Sequence, residues 1–287
     1  RNGLLLSNMR YQFMLRRLTR TLVRTVHMIR YQFSKGVFRP FASELEFTEG
    51  DGRMLLRGRI DRLDAYDDVF DGQPARYLRV IDYKSGHQDW DPNLYVHGID
   101  LQLMVYLRAI LEAERNRDPE RLIVPAGVFY YHIDDPVLKQ EKIASVIENE
   151  NDRIKALAMK GVANSDRRIL TMMDQELEEG GSGKSDILPV GFKKDGSPDS
   201  GSHGLTTEEF ELASRYTDHQ IRTLGGRIRN GEAGVFPYRY GDKDPCGNCG
   251  YRGICGFDQR ISGYTMREIT KCDREKLLDH MRKELHE

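Results

Sequence analysis

Two aspartates and a lysine have the types and spacing that suit hydrolysis of a phosphodiester bond. Asp61 ends the run Gly58-Arg59-Ile60-Asp61, Asp82 follows twenty-one residues later, and Lys84 lies two positions beyond Asp82. Carboxylate oxygens are the ligands that a small divalent cation such as Mg²⁺ prefers. A cation with a lysine beside it can organise an attacking water and offset the charge of a phosphate. The pattern therefore predicts a metal-dependent phosphodiesterase acting on nucleic acid.

The three residues lie on segments that the sequence predicts to be β-strands. Apolar and β-branched runs at 43–48, 54–61 and 76–84 predict three strands; Asp51-Gly52 joins the first two as a hairpin, and a polar loop at 67–75 precedes the third. Adjacent strands lie about 4.8 Å apart, so Asp61 and Asp82 can share one cation. Alternation along the strand places Lys84 on the same face as Asp82. The alternative is two surface aspartates and a solvated lysine, because D-x-K alone recurs by chance.

The remaining segments predict a mixed α/β protein. Apolar residues spaced by three and four indicate a long first helix with one apolar face: Leu15, Leu18, Leu22, Val26, Ile29 and Phe33. Further helices are predicted at 100–114, 143–160, 206–231 and 273–286, with a strand at 122–133. A Gly- and Ser-rich stretch at 180–204 predicts a mobile surface loop. We expect a basic helical segment (1–42), a mixed β-sheet core flanked by helices (43–240), and a cysteine-containing segment with a terminal helix (241–287).

Composition and charge restrict the possible functions. No apolar run approaches the ~18 residues of a membrane span, and no phosphate-binding G-x-x-x-x-G-K-[ST] loop is present, so we expect neither a membrane anchor nor ATP hydrolysis by this chain. Residues 1–43 carry nine basic and no acidic side chains, although the net charge is −1. This segregation favours contact with a polyanion such as DNA, through Arg16, Arg20 and Arg24. The alternative is a solvated helix face.

These motifs together resemble a known family. Gly58-x-Ile60-Asp61, then Asp82-Tyr83-Lys84-Ser85-Gly86, then Gln102-x-x-x-Tyr106, occur in the order of the RecB-type PD-(D/E)XK nucleases. Within them the chain is most similar to the C-terminal nuclease domain of the AddB family, which forms one half of the bacterial AddAB helicase–nucleases. By position alone, Gln102 and Tyr106 are a polar edge of a buried helix. The resemblance instead implies that both are active-site residues.

The resemblance implies a restriction-endonuclease-like fold and a DNA exonuclease. Asp61, Asp82 and the main-chain carbonyl of Tyr83 would bind Mg²⁺ or Mn²⁺, and Lys84 would act on the attacking water. The expected setting is the bacterial cytoplasm, beside an AddA-type helicase subunit, where the domain would cut the 5′-ended strand in double-strand-break repair and recombination. The alternative is a weak or inactive DNA-binding or structural module on the same fold.

The cysteines indicate a second metal centre. Cys246, Cys249 and Cys255 follow the pattern C-x2-C-x5-C, which can hold zinc or an iron–sulfur cluster in a reducing compartment. The family resemblance implies a [4Fe–4S] cluster with a fourth, distant upstream cysteine, and a metal-site histidine on an upstream helix. Neither has a match here. Because the sequence begins with Arg1, we expect a fragment of a longer protein, and we favour an upstream ligand over Cys272. The three cysteines can also be reduced and empty in this fragment.

Overall fold

The computed structural model describes residues 8–50, 54–86, 88–136, 146–177, 183–195, 197–199 and 204–286, with backbone only for 146–149. Its strands are β1 (Arg39–Gly50), β2 (Leu55–Phe70), β3 (Gln73–Lys84), β4 (Leu122–His132), β5 (Lys160–Asn164), β6 (Gly183–Lys184), β7 (Gly191–Phe192), β8 (Gly204–Leu205), β9 (Tyr238–Tyr240) and β10 (Arg267–Ile269). Its α-helices are α1 (Met9–Lys35), α2 (Pro92–Val96), α3 (Gln102–Arg117), α4 (Val146–Ala156), α5 (Arg167–Met173), α6 (Thr207–Arg229), α7 (Arg252–Cys255) and α8 (Arg274–Glu284).

The centre of the fold is a mixed six-stranded sheet in the order β1-β2-β3-β4-β5-β8. The first three strands are antiparallel, β4 runs parallel to β3, β5 is antiparallel to β4, and β8 is parallel to β5. The parallel pair β3–β4 requires a crossover, which α2 and α3 provide. This mixed sheet flanked by helices confirms the predicted fold class.

Alternation along β3 divides the core between the two faces of the sheet. Leu78 and Val80 pack on one face with residues of α3, α6 and α8, whereas Tyr77 and Ile81 pack on the other with residues of α1 and α5. Asp82 lies two residues after Val80, so its side chain points to the same face of the sheet as that of Val80. The predicted chemistry therefore lies on the α3 side of the sheet, which we call the reaction face.

The link between β2 and β3 differs from the prediction. The polar loop expected at 67–75 is wrong, because β2 continues to Phe70 and pairs with β3 up to the closing pair Phe70–Gln73. Asp71 and Gly72 form the whole turn, with φ angles of 48° and 85°. Two positive φ angles define the tight turn whose twist matches a hairpin, and Asp-Gly is a preferred sequence for it. The other predicted turn, at Asp51-Gly52, lies outside the described residues.

Two further segments differ from the sequence expectation. The helix predicted at 143–160 ends earlier, at Ala156, and β5 begins at Lys160. In the stretch 180–204, which predicts a mobile surface loop, Ile187, Leu188 and Val190 are fully buried. The prediction followed the Gly and Ser content of the whole stretch. It overlooked this short apolar run, which packs against the sheet on the face opposite the reaction face.

Helix α1 forms as predicted but buries a different face. Thr25, Met28 and Gln32 are its buried residues, whereas predicted apolar-face residues Leu18 and Val26 are 56% and 63% exposed. Periodicity in a sequence identifies an apolar stripe, but the neighbouring sheet decides which side is covered, and here it covers only the later turns. Among the described residues, no helix combines the length and hydropathy needed to span a membrane.

A buried group of charges lies between α1 and the sheet. Asp64 is fully buried and accepts hydrogen bonds from Arg62 Nε at 2.7 Å, Arg62 Nη2 at 2.6 Å and Arg79 Nε at 2.9 Å. Both guanidinium groups also stack on aromatic rings, Arg62 on Phe33 at 4.5 Å and Arg79 on Phe38 at 4.9 Å. We call Arg62, Asp64 and Arg79 the buried triad. It lies on the face opposite the reaction face.

Candidate active site

The two aspartates lie on neighbouring strands, as the strand prediction requires. Arg62 of β2 pairs with Ile81 of β3, which places Asp61 beside Asp82. Asp61 Oδ2 accepts a hydrogen bond of 2.8 Å from the backbone N–H of Tyr83. That bond leaves the other carboxylate oxygen of Asp61 available to a ligand. The pair therefore faces the same small volume from two strands.

Lys84 approaches Asp82 directly. Its Nζ lies 2.7 Å from Asp82 Oδ2, and Asp82 is only 3% exposed. Lys84 is therefore the group that pairs with this buried carboxylate oxygen. Burial raises the pKa of Asp82 and the charge of Asp61 adds to the rise, while Lys84 acts in the opposite direction. Buried carboxylates with raised pKa values are typical of functional sites.

Gln102 and Tyr106 join this group through a chain of hydrogen bonds. Lys84 Nζ donates to Gln102 Oε1 at 2.7 Å, and Gln102 Nε2 donates to the hydroxyl of Tyr106 at 3.0 Å. Gln102 is the first residue of α3, so the helix begins at the end of the strands that carries Asp82 and Lys84, and the i, i+4 spacing keeps both side chains on one turn. The structure thus brings together all five side chains that the sequence singled out.

Gly58 is needed for the packing beside this group. A Cβ atom at position 58 would lie under 3.0 Å from two ring carbons of Phe47 and 3.1 Å from the ring of Tyr106. These rings meet edge to face, with centroids 5.9 Å apart. The glycine before Ile60-Asp61 therefore lets Phe47 support Tyr106 from the strand side.

Sequence reasoning missed Tyr130 and Asp100. Tyr130 pairs with Asp82 across β3 and β4, and Lys84 Nζ lies 5.0 Å from its ring centroid. Its hydroxyl donates to Asp100 Oδ1 at 3.2 Å, and burial raises the pKa of both groups. To find Tyr130 from the sequence, one would have to predict that β4 pairs with β3 and in which register. No local motif connects residues so far apart in the sequence.

The basic helix lies away from these residues. Arg20 and Arg24 both form ion pairs with Asp135, and Arg16 is exposed. Met28 of α1 packs on the face of the sheet opposite the reaction face. The structure therefore does not bring the three arginines to the carboxylate pair, and their contact with DNA stays a prediction.

The cysteines gather at a separate place. Cys246, Cys249 and Cys255 line one surface cavity of about 640 Å³. Cys272 is not among its lining residues: its backbone N–H donates to Asn93 Oδ1 at 2.7 Å and its side chain packs at the edge of the core. In the described part of the chain, no three or more His, Cys, Asp or Glu side chains are arranged to hold a metal ion.

The carboxylate pair nevertheless fits a hard divalent cation. Asp61 and Asp82 converge from adjacent strands, and Asp82 is buried beside Lys84. Oxygen ligands from one or two carboxylates, completed by water and phosphate, are the usual environment of Mg²⁺. The chemistry of this donor set therefore suits such an ion.

Comparison with known proteins agrees with this geometry. The family sequence model of the PD-(D/E)XK nuclease superfamily matches residues 3–256 of this chain. Among curated proteins, the chain is 36% identical to the B subunit of an ATP-dependent helicase/deoxyribonuclease from Lachnoclostridium phytofermentans over 99% of its own length, and 33% identical to that of Clostridium acetobutylicum, also over 99%. The corresponding protein of Thermoanaerobacter sp. is 32% identical over 99% of the chain. The chain spans about a quarter of the length of these relatives.

Proposed function

Because the chain belongs to the PD-(D/E)XK nuclease superfamily, we propose that it hydrolyses phosphodiester bonds in DNA with the help of Mg²⁺ or Mn²⁺. The observation that carries the proposal is the connected set of side chains at the reaction face. Asp61 and Asp82 converge from adjacent strands, and Lys84 links Asp82 to Gln102 and onward to Tyr106.

Each residue has a role that follows from its contacts. Asp61 and Asp82, with the carbonyl of Tyr83, would hold the cation, which when bound lowers the pKa of water and polarises the phosphate. Lys84 is held between Asp82 and Gln102, so its ammonium group can position the attacking water and offset charge that develops on phosphate oxygens. Gln102 fixes Lys84, and the hydroxyl of Tyr106 fixes Gln102.

The relatives suggest the biological setting. Their name couples a helicase with a deoxyribonuclease. We infer that this chain is the nuclease domain of such a protein, that an AddA-type helicase partner feeds it DNA, and that it cuts the 5′-ended strand during double-strand-break repair and recombination. Since this chain contains no phosphate-binding loop, its dependence on ATP would come through that partner.

The experiment that tests the proposal measures cleavage of 5′- and 3′-labelled single-stranded DNA with Mg²⁺. We expect Asp82→Asn and Lys84→Ala each to lower the rate by at least about a hundredfold, because the first removes a ligand of the cation and the second removes the ammonium group that offsets phosphate charge. Asp242→Asn is the matched control, since Asp242 is an exposed turn residue remote in sequence from the group. The labelled ends report which strand end is attacked.

Two results would contradict the proposal. Cleavage that survives in both variants would show that other residues perform the reaction. Absence of cleavage by the parent chain, with DNA binding retained, would favour a binding module on the same fold.

We also infer that Cys246, Cys249 and Cys255 bind a [4Fe–4S] cluster. The three thiols share one cavity, and Cys272 lies outside its lining, which favours a fourth ligand from elsewhere in the longer polypeptide. Cysteine thiolates are the usual ligands of such clusters. Anaerobically purified longer protein should absorb near ~400 nm and contain iron. Cys249→Ser should lose both signals, whereas Cys272→Ser should keep them; equal amounts of zinc instead of iron would overturn the inference.

A further inference from the structure

A row of side chains extends from the carboxylate pair across the reaction face. Asp82 of β3 pairs with Tyr130 of β4, and Tyr130 pairs with Lys160 of β5. Directly paired residues on adjacent strands point to the same face of a sheet. Lys160 therefore lies two strands from Asp82, about 10 Å away, on the face where the phosphate would be cut.

Lys160 lines a cavity of about 540 Å³ at this end of the row. The cavity lies between the loop that follows Lys84, the start of β5 and the segment from Lys184 to Pro189. Its volume is within the range of pockets that hold small organic ligands. The cavity therefore has room for one unit of a polymer that runs past the reaction face.

The ionisable side chains of the cavity carry a positive excess. Lys155, Lys160 and Lys184 outnumber the two acids, Asp89 and Asp186. None of the three lysines forms an ion pair or side-chain hydrogen bond with a described residue. Within the described part of the chain, these ammonium groups are therefore available to an anion that enters the cavity. Such groups suit the phosphates of a nucleic acid.

Trp90 forms one wall of the same cavity. Its ring packs against Tyr95 with centroids 5.9 Å apart, and it rests on the core that supports α3. Gln88, two residues earlier, is tied to β4: its backbone N–H donates to His132 Nε2 at 3.2 Å and its side chain donates to the Tyr130 hydroxyl at 3.4 Å. The indole is thus held in place beside the lysines rather than on a free loop. A fixed aromatic ring beside basic side chains is typical of platforms that stack unpaired bases.

We propose that this cavity is a subsite for single-stranded DNA, which holds the nucleotide next to the cleaved phosphodiester. Trp90 stacks on the base, Lys160 and Lys184 bind its phosphate, and the base must be unpaired to reach the ring. The subsite rests on the proposed nuclease function and adds to it the residues that hold the strand beside the reacting phosphate.

The chain offers a direct probe of this subsite because Trp90 is its only tryptophan. Indole fluorescence, excited beyond tyrosine absorption, is recorded while oligothymidylate is added in EDTA, so that no cleavage occurs. Single-stranded oligothymidylate should quench the emission to saturation, and a blunt duplex of equal length should not. Base stacking on the indole is the reason for the quenching.

Lysine variants test the phosphate contacts. Lys160→Ala and Lys184→Ala should each weaken binding roughly two- to fivefold. Each should also reduce the slope of log affinity against log salt by about 0.7, the value for one phosphate contact on a single strand. Lys184 is exposed, so its variant keeps the fold, and Lys160→Arg should keep the affinity. Lys283→Ala, on the surface of α8, is the matched control and should bind like the parent.

The outcomes separate the subsite from the catalytic proposal. Saturable quenching that Lys160→Ala and Lys184→Ala weaken supports the subsite even if the parent chain fails to cleave DNA. Cleavage by the parent without quenching, equal quenching by duplex, or parent-like affinity and salt slope in both lysine variants overturns the subsite and leaves the nuclease reaction standing.

Discussion

Replacing Asp64 by Asn should destabilise the protein strongly, although Asp64 takes no part in the proposed reaction. In the buried triad, one carboxylate accepts three hydrogen bonds from two guanidinium groups and is fully buried. Asn has nearly the same shape but only one oxygen, so its amide N–H would face an arginine N–H. Two buried positive charges would then remain without a counter-charge.

The size of the effect follows from this geometry. Removing one partner of a buried ion pair costs about 3–5 kcal/mol, because the remaining charge stays desolvated. For a chain of this size, each kcal/mol lowers the melting temperature by roughly 2–4 °C, so we expect a fall of about 6–20 °C. Adding Arg79→Met to Asp64→Asn should recover part of the loss, since one unpaired charge then disappears while packing against Phe38 is kept.

Urea unfolding followed by circular dichroism measures the effect. The midpoint should fall while the dependence of unfolding free energy on urea stays unchanged. Asp67→Asn is the control: Asp67 also binds two arginines, but it is about half exposed, so its loss should cost less than about 1 kcal/mol. A loss below about 1 kcal/mol for Asp64→Asn, or no recovery in the double variant, would refute the reasoning.

Three further changes have expected outcomes. Gly58→Ala should lower the free energy of unfolding by about 1–3 kcal/mol, because its methyl group would overlap the ring of Phe47. Gly226→Ala, in open space on α6, should raise it by about 0.5–1 kcal/mol. Urea unfolding midpoints compare the two variants with the parent. Thr206→Ala should cost about 1 kcal/mol in the same assay, because it removes the capping box of α6. Hydrogen bonds from neighbouring arginines lower the pKa of Asp67 from 3.8 to about 2. The contribution of Asp67 to the free energy of unfolding is therefore complete above pH 3.8 and is lost as the pH falls towards 2. In acid unfolding, the stability difference between the parent and Asp67→Asn should shrink over that interval.

Much of the candidate site was predictable because it depends on local periods. The alternation of a strand places Asp82 and Lys84 together, and the turn of a helix places Gln102 with Tyr106. The pairing of β2 with β3 is non-local, but a hairpin makes it between neighbours in sequence. The position of Gln102 and Tyr106 beside Lys84 was expected only from the family resemblance. The family resemblance rests on the same residues.

The residues that sequence reasoning missed depend on register between distant strands. Tyr130 and Lys160 join the row only because β4 lies parallel to β3 and β5 antiparallel to β4. The pairing of β3 with β4 also shifts at Leu78–Arg79, which changes every later partner. Core packing decides such a shift, and it leaves no local pattern of residues in the sequence.

The division between the two faces of the sheet gives the buried triad a structural purpose. Because successive residues alternate, Asp61 and Asp82 point to the reaction face while Arg62 and Tyr83 point to the other. Arg62 Nη1 donates to the Tyr83 hydroxyl at 3.4 Å, and the Tyr83 N–H holds Asp61. The triad therefore anchors, from behind, the same stretches of backbone that carry the carboxylate pair.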